Sequence, residues 1–320
     1  MKVLFMGTPR FAVPTLEKLI QSRHEVALVI TQPDKKAGRG QVMHAPPIKE
    51  LALRHGLTVL QPSTVRDDVF LEAIRSQQPD VIVVAAYGKI LPQAVLDVPR
   101  FGCINVHASL LPLYRGAAPI NWAIIRGERE TGVTIMRMDA GMDTGCILCQ
   151  ERVDILEDDD ARSVSDMLSV IGAQKLLEIL DKIEKEGSIQ GCPQDSTRAT
   201  YAPLLRKEDG RITWSRPTEE LICLVRGTYP WPGAFTTLGN EILKVLRVEP
   251  LWESACESVA DFEGLRPGTV ALTLKTHGFA VRTGDGLLLV TEAQPAGRRP
   301  LSGVDIVNGN HVKEGALLGG

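Results

Sequence analysis

The stretch DVIVVAA, residues 80–86, continues after its aspartate as an unbroken apolar run in which most residues are β-branched. A strand of this composition is buried on both faces. Such burial is typical of a central strand in a parallel sheet that helices cover from each side. The stretch therefore predicts an α/β fold.

Strand and helix patterns alternate on either side of this run. Residues 3–6 form a short apolar run that Gly7-Thr8-Pro9 closes, and apolar residues then recur at helical spacing up to residue 20. Further strands are predicted at 25–31, 57–60, 103–108, 132–138 and 146–155, and helices at 48–55, 69–74, 117–126 and 161–185. The strands at 132–138 and 146–155 flank a turn-rich segment and are expected to pair as a hairpin. The whole pattern predicts a doubly wound, mostly parallel, Rossmann-like sheet.

The pattern changes after residue 186. Residues 187–205 are polar, contain two prolines and show no sustained periodicity, so they are predicted to be a linker. From 206 to 320, short strands alternate with turns rich in Gly, Asn and Asp, which predicts a smaller, OB-like β-barrel. We therefore expect a catalytic domain at 1–186 and a second domain at 206–320.

Composition limits the classes of protein to consider. The chain is 44% hydrophobic and 23% charged, as in ordinary globular proteins, and no window is apolar enough for a membrane span. Its start leaves no room for a signal peptide, so we expect a cytoplasmic protein, or an organelle-matrix protein if an import sequence was removed. A formal net charge of -3 does not indicate a nucleic-acid binder, so any RNA contact would use local basic patches. We expect a monomer.

Two short motifs suggest a cofactor site or a metal site, but neither has the further residues that such a site requires. Gly7-Thr8-Pro9 lacks the further glycines of a dinucleotide fingerprint, which argues against a nicotinamide oxidoreductase. Cys146 and Cys149 form a C-x-x-C pair, but no second ligand pair follows and the residues between them read as strand. We therefore expect no metal.

The segment INVHASLLPLYRG, residues 104–116, carries the candidate chemistry. Residues two apart in a strand face the same side, so Asn105 and His107 project together while Val106 faces the opposite layer. They lie at the carboxyl end of a central strand, where open α/β sheets bind ligands. Two buried side chains that cap neighbouring loops are the alternative. A carboxylate would fix the imidazole tautomer, and the turn at 139–145 offers Asp139 and Asp143, between which composition does not decide.

These segments, taken together, resemble the formyltransferases that use 10-formyltetrahydrofolate. The shared motifs are INVHASLLPLYRGAAPINWAI (104–124) and DAGMDTG (139–145), which fix the type of reaction. More specific segments resemble the branch of the family that acts on charged tRNA. They are MGTP (6–9), TQPDKKAGRG (31–40), AAYGKILP (85–92), TYAPLLRKEDGRITW (200–214), TYPWPGAF (228–235) and QPAGRRPLSG (294–303).

The resemblance implies a function and roles for residues. It implies formyl transfer from 10-formyltetrahydrofolate, a co-substrate, to the α-amino group of methionyl initiator tRNA. Asn105 would donate to the formyl oxygen, His107 would move the proton, and Asp143 would hold His107. The folate would lie against a wall of six residues: Ser109, Leu110, Leu111, Pro112, Ile90 and Leu91.

The long loop at 32–47 is the expected tRNA contact. It carries Lys35, Lys36 and Arg39 and exceeds the usual length of such a connection. By resemblance it enters the acceptor stem, whereas a short cationic loop by itself is more often solvated surface.

Two matters stay open in the sequence: whether Arg115 binds an acidic partner or pairs with a carboxylate to stabilise the turn, and whether Leu111-Pro112 is cis.

Two other functions compete with this interpretation. The acceptor could instead be a small amine such as an amino sugar or a purine precursor, or water. A noncatalytic RNA-binding protein is a further alternative, but it leaves Asn105, His107 and Asp143 unexplained.

Overall fold

The structure is a computed structural model that describes residues 1–37, 42–251, 262 and 264–319. The chain divides into two compact units, each assembled from separate stretches of sequence. The first unit comprises Met1–Pro119, Glu130–Asp154 and Val164–Pro203, and the second comprises Ile120–Arg129, Ile155–Ser163 and Leu204–Gly320. The domain limits expected at residues 186 and 205 remain a prediction.

Strands and helices alternate up to residue 203, as the sequence predicts. The strands are β1 (Lys2–Gly7), β2 (Glu25–Ile30), β3 (Lys35–Ala37), β4 (Val42–His44), β5 (Val59–Leu60), β6 (Val81–Ala85), β7 (Cys103–His107), β8 (Arg115–Gly116), β9 (Glu130–Arg137), β10 (Ile147–Asp154) and β11 (Tyr201–Ala202). The helices are α1 (Val13–Gln21), α2 (Pro47–Arg54), α3 (Asp68–Arg75), α4 (Gln93–Leu96), α5 (Pro119–Ile125) and α6 (Ala161–Glu186).

Seven of these strands form the main sheet, in the order β10-β9-β7-β6-β1-β2-β5. The five strands from β7 to β5 are parallel, and β9 and β10 add an antiparallel hairpin at one edge. The chain moves outward from β1 through β2 to β5 and then returns to the other side of β1 at β6. This reversal places the connecting helices on both faces of the sheet, so the doubly wound, mostly parallel fold is confirmed.

Alternation along the strands decides what each face packs against. Ile82, Val84 and Cys103 face an apolar layer that includes Phe70 of α3 and Val95 of α4. The other face is covered in part by α6, since Gly172 lies directly against Val106 and Val133. Asn105 and His107 share the face of Cys103, beyond the end of that apolar layer.

Two segments expected to lack regular structure contain strands. The long loop at 32–47 holds the antiparallel hairpin of β3 and β4, in which Lys35 pairs with His44 and Lys36 with Met43. Within the predicted linker at 187–205, β11 pairs in parallel with β8. Neither was predictable from periodicity because strands of two or three residues are too short to show any.

The second unit contains an antiparallel sheet around its own core. Its strands are β12 (Ala234–Leu238), β13 (Glu241–Pro250), β14 (Val270–Leu274), β15 (Gly278–Arg282), β16 (Leu287–Pro295) and β17 (Leu301–Ser302), and its helices after residue 204 are α7 (Thr218–Thr228) and α8 (Gly303–Asn308). The strand order is β12-β13-β16-β15-β14, with β17 paired to β16. Backbone bonds from residues 315–319 reach Val270, the first residue of β14, and Thr237 of β12, so the C-terminal segment joins the two edge strands and closes the barrel.

The sequence predicts one helix at 218–226 and strands at 234–238, 242–248, 269–274, 279–283 and 287–292, which the structure shows as α7 and as β12 to β16. It does not predict α8, which is a single short helix. Phe279, Leu288 and Val290 are fully buried in the core of the barrel. In the described part of the chain, no helix combines the length and the apolar character that crossing a bilayer requires.

Candidate active site

Strand β7 carries Asn105 and His107 to the end of the sheet, as predicted. It pairs in parallel with β6 and antiparallel with β9, where His107 lies opposite Thr134. Both side chains are buried, with 9% of Asn105 and 6% of His107 exposed. A buried amide and a buried imidazole on one face therefore meet the crevice at the carboxyl end of the strand.

The imidazole of His107 lies between two acceptors. Its Nε2 is 3.1 Å from the carbonyl oxygen of Tyr114, and its Nδ1 is 3.6 Å from Oδ1 of Asp143. Because a carbonyl oxygen only accepts hydrogen bonds, Nε2 carries a proton in this arrangement. A second proton arriving at Nδ1 would face the carboxylate of Asp143, which stabilises the positive ring.

The turn between β9 and β10 presents Asp143, not Asp139, to the histidine. Oδ2 of Asp143 accepts the backbone N–H of Gly116 at 2.8 Å, which leaves Oδ1 toward the ring. Oδ1 of Asp139 instead accepts from the N–H of Gly141 and the hydroxyl of Thr144, at 3.0 and 2.6 Å. Asp139 thus forms the turn and Asp143 faces the ring, a division of roles that the sequence left open.

The side-chain amide of Asn105 is one of several buried polar groups of the first unit without a hydrogen-bond partner among the described residues, as are the hydroxyls of Thr15, Thr31 and Tyr87. Within the described residues it forms no hydrogen bond, although nine-tenths of the residue is buried. A buried amide without a partner costs free energy in the folded protein. Its N–H groups are therefore available to an oxygen atom of a bound molecule.

The corner after His107 is held from the neighbouring hairpin. The hydroxyl of Thr134 donates to the carbonyl of Ser109 at 2.6 Å and accepts the N–H of Leu111 at 3.1 Å. Gln150 of β10 donates to the carbonyl of Leu111 at 2.9 Å. Leu111-Pro112 is a cis peptide. This corner is fixed by side-chain-to-backbone bonds from β9 and β10.

The residues expected to line the folate differ in exposure. Ser109 and Leu111 are buried, and Leu110 packs against Gly132 of β9. Ile90 is 57% exposed, whereas Leu91 is 3% exposed and belongs to the apolar layer under α3 and α4. Ile90 therefore offers surface to a ligand, and Leu91 supports the sheet.

Arg115 is buried and bonds to neutral side chains. It is 3% exposed, and its guanidinium donates to Oε1 of Gln194 from both Nε and Nη2, at 3.1 and 2.7 Å. Nη2 also lies 3.4 Å from the hydroxyl of Ser196. These acceptors are neutral, so the pairing with a carboxylate, one of the two roles that the sequence left open, is not observed among the described residues. The guanidinium is directed inward, toward the predicted linker.

The basic residues of the long loop lie on its hairpin. Lys35 and Lys36 are exposed on β3, and Nζ of Lys35 donates to Oε1 of Gln32 at 2.9 Å. Arg39 lies outside the described residues. The lysines are therefore placed at the surface, where they are open to a polyanion.

Sequence reasoning missed several groups of this site. Thr134 and Gln150 occupy ordinary strand positions, and the carbonyl of Tyr114 leaves no mark in a sequence. Gln194 lies in the polar segment 187–205, which the sequence predicts to be a linker. Among these features, only Gly141 and Gly145, which lie on either side of Asp143 in the sequence, indicated a turn of defined shape.

The fold and the site together define an enzyme suited to acyl transfer, in which a buried amide donor stands beside a histidine and a carboxylate. The chain belongs to the formyl transferase family. Residues 1–180 match the family described as formyl transferase, and residues 204–311 match the formyl transferase C-terminal domain. The family membership expected from the motifs is confirmed.

Full-length relatives agree with this family. The chain is 47% identical to a methionyl-tRNA formyltransferase of Acetivibrio thermocellus, with all of both chains covered. It is 46% identical to a methionyl-tRNA formyltransferase of Geobacter metallireducens, covering 100% of this chain and 99% of that one.

Solved structures share the fold at low identity. The crystal structure of WlaRD, a sugar 3N-formyl transferase, has a TM-score of 0.66 and 17% identity, covering 93% of this chain and 99% of that chain. HypX from Aquifex aeolicus, solved in complex with tetrahydrofolic acid, has a TM-score of 0.64 and 20% identity, covering 98% of this chain and 48% of HypX. At these identities the likeness supports the fold.

Proposed function

We propose that this chain transfers the formyl group of 10-formyltetrahydrofolate to the α-amino group of methionine esterified to initiator tRNA. The observation that carries the chemistry is the unpartnered, buried amide of Asn105 beside His107 and Asp143. The acceptor follows from relatives named methionyl-tRNA formyltransferase that align with the whole chain at 46 to 48% identity.

Asn105 supplies the donor for the reacting oxygen. As the amine nitrogen attacks the formyl carbon, a new C–N bond forms and negative charge develops on the formyl oxygen. An N–H donor that is largely buried and fixed on a strand needs little reorganisation to stabilise this charge. The donor's position at the end of β7 is set by the sheet before substrate binds.

His107 moves the proton that the reaction displaces. The attacking amine must lose one proton, and the folate nitrogen must gain one as its bond to the formyl carbon breaks. With Nε2 bonded to the Tyr114 carbonyl, Nδ1 is the nitrogen left to accept that proton. Asp143 stabilises the charged ring, and His107 then gives the proton to the departing nitrogen.

The folate site lies along the corner after His107. Ser109, Leu110, Leu111 and Pro112 would form one wall of the pterin pocket, and Ile90, supported by Leu91, would form another. Apolar side chains exclude water from the ring while backbone groups of the corner read its polar edge. The exposure of Ile90 supports this placement.

The hairpin of β3 and β4 is the proposed tRNA contact. Lys35 and Lys36 are exposed on it, and Arg39 lies in the part of the loop outside the described residues. Contacts between lysine or arginine and phosphates release counterions, so binding should weaken with salt. We further propose that the protein acts in the cytoplasm, where charged tRNA is found, and as a monomer.

A labelled donor tests the proposal directly. The protein is incubated with 10-formyltetrahydrofolate carrying a labelled formyl group and, in parallel, with methionyl initiator tRNA, free methionine, an amino-sugar nucleotide or buffer alone. Label on the methionine nitrogen of the tRNA alone supports the assignment. Label on the amino sugar, or release as formate in buffer, would replace the acceptor with a small amine or water.

Two variants connect the reaction to the site. His107→Ala should nearly abolish transfer while tRNA binding, measured by filter retention, stays close to wild type. His55→Ala is the matched control because His55 is an exposed histidine at the end of α2. Equal loss of transfer in both variants would remove His107 from the mechanism.

A further inference from the structure

The segment 192–202 contacts both structures that surround His107. Cys192 exchanges two backbone bonds with Ile147 at the start of β10, each 2.8 Å. At its other end β11 pairs with β8, just beyond the corner that follows His107. The segment therefore runs along the first unit and does not act as a free connection.

Gln194 fixes the turn that carries Asp143. Its Nε2 donates to the carbonyl oxygens of Asp143 and Gly145, both at 2.8 Å. Its Oε1 accepts two bonds from the buried guanidinium of Arg115, which determines the orientation of the amide. All the polar atoms of the Gln194 side chain thus serve to hold this turn.

Thr200 fixes the corner that carries Tyr114. Its hydroxyl accepts the backbone N–H of Tyr114 at 2.8 Å, and its carbonyl accepts the N–H of Arg115 at 2.9 Å. The N–H of Thr200 is 3.3 Å from the carbonyl of Pro112. The corner is thus bonded to this threonine at three residues, Pro112, Tyr114 and Arg115.

Tyr114 and Asp143 are also the residues whose oxygens face the two ring nitrogens of His107. Both have left-handed backbones, with φ of 58° for Tyr114 and 55° for Asp143. Such conformations are uncommon for residues with side chains and persist where surrounding bonds impose them. The bonds from Thr200 and Gln194 are made at these same two residues.

We infer that Gln194 and Thr200 are positioning residues of the active site, which hold the Asp143 carboxylate and the Tyr114 carbonyl against His107. The segment 192–202 is then a part of the catalytic frame. This inference rests on the proposed function for its kinetic test, but not for its spectroscopic test.

The spectroscopic test reads the ring directly. The ¹⁵N chemical shifts of both His107 nitrogens are measured by NMR in the full chain, with assignment from His107→Gln. Gln194→Ala should change the Nδ1 shift and Thr200→Val the Nε2 shift, while Gln190→Ala, an exposed glutamine two residues before this segment, should change neither. Thr200→Ser retains the hydroxyl and should restore the wild-type shifts.

The kinetic test uses formyl transfer to methionyl-tRNA. Gln194→Ala should lower kcat about 10- to 100-fold with KM values nearly unchanged, because misplacement of a reacting group by about 1 Å has this effect on turnover. In an Asp143→Asn background the same change should add little, since both substitutions then act through one group. The pH profile of kcat should also move in Gln194→Ala, which a loss of stability alone would not cause.

The outcomes distinguish the positioning role of Gln194 and Thr200 from the proposed function. Unchanged His107 shifts in folded Gln194→Ala and Thr200→Val would overturn the inference whatever the acceptor is. Additive losses in the Asp143→Asn background would do the same. Altered shifts in a protein that transfers no formyl group to methionyl-tRNA would leave the positioning role in place and reject the proposed function.

Discussion

Asn105→Ala separates the chemistry of the site from the stability of the fold. The side chain of Asn105 forms no hydrogen bond within the described residues, so its removal breaks no bond in the folded protein. Its amide has no protein partner and retains some exposure, so truncation costs mainly the packing of a small side chain. We expect the free energy of unfolding to change by less than about 1 kcal/mol.

Catalysis should respond very differently. Loss of one donor to a developing oxyanion lowers kcat by about 10²- to 10³-fold, or roughly 2.7–4 kcal/mol of transition-state stabilisation. Asn105→Asp should lose more, because it keeps the size of the side chain but places an acceptor, charged when ionised, where negative charge develops. Binding of the folate in its ground state should change much less than kcat.

The assay combines single-turnover transfer of labelled formyl groups with urea unfolding of the same samples. Asn121→Ala is the matched control, because Nδ2 of Asn121 donates to the carbonyl of Gly227 at 2.8 Å in the second unit. It should cost about 1 kcal/mol of stability and leave kcat nearly unchanged. A loss of less than about fivefold in Asn105→Ala, well below that expected for an oxyanion donor, would refute the role assigned to this amide.

Three further predictions concern other parts of the chain. Burial raises the pKa of Tyr87 to about 12, and its hydroxyl has no hydrogen-bond partner among the described residues. Tyr87→Phe should therefore leave the free energy of unfolding in urea unchanged or raise it by up to about 1 kcal/mol. A clear loss of stability would show that the hydroxyl does have a partner. The backbone N–H of Thr218, at the start of α7, donates to the carboxylate of Asp285 and lowers its pKa below the ordinary value of 3.8. The carboxylate therefore stabilises α7 fully above pH 3.8, and this stabilisation is lost as the pH falls through the lower pKa of the folded protein. Asp285→Asn should therefore be less stable than wild type at pH 7, with the difference vanishing in strong acid; a difference that is equal at both pH values would contradict this. Burial, with a smaller effect of the nearby Asp97, raises the pKa of Cys103 to about 12, so at pH 8 iodoacetamide should modify exposed Cys192 and spare Cys103 until the protein unfolds, as peptide mass spectrometry can follow.

The fold was largely predictable because the first unit follows simple rules of burial. The run at residues 80–86 became β6, and the segments at 103–108, 132–138 and 146–155 became β7, β9 and β10 within one or two residues at most ends. These strands are long enough for their apolar pattern to report which faces are covered. The strands β3, β4, β8 and β11 are too short to carry such a pattern.

The site was predictable only in part, and the reason is physical. Asn105 and His107 are two residues apart on one strand, so local geometry alone places them on one face. The choice of Asp143 over Asp139 depended on a family resemblance, because the direction of each carboxylate is set by the turn's backbone. The left-handed conformation of Asp143 directs its Oδ1 to the ring, and no residue pattern encodes that choice.

The residues that hold the site leave even weaker signals. Gln194 is 51 residues from Asp143 along the chain and 79 from Arg115, and it acts on the turn through backbone carbonyls. Any residue type provides a carbonyl, so the partner of such a bond is invisible in the sequence. A polar segment without periodicity is therefore compatible with two states. It can be a solvated linker, or a segment whose polar groups form hydrogen bonds with the backbone of another part of the chain. In this protein the buried guanidinium of Arg115 decides between them, because a cation that is 3% exposed needs fixed acceptors, and residues 194 and 196 supply them.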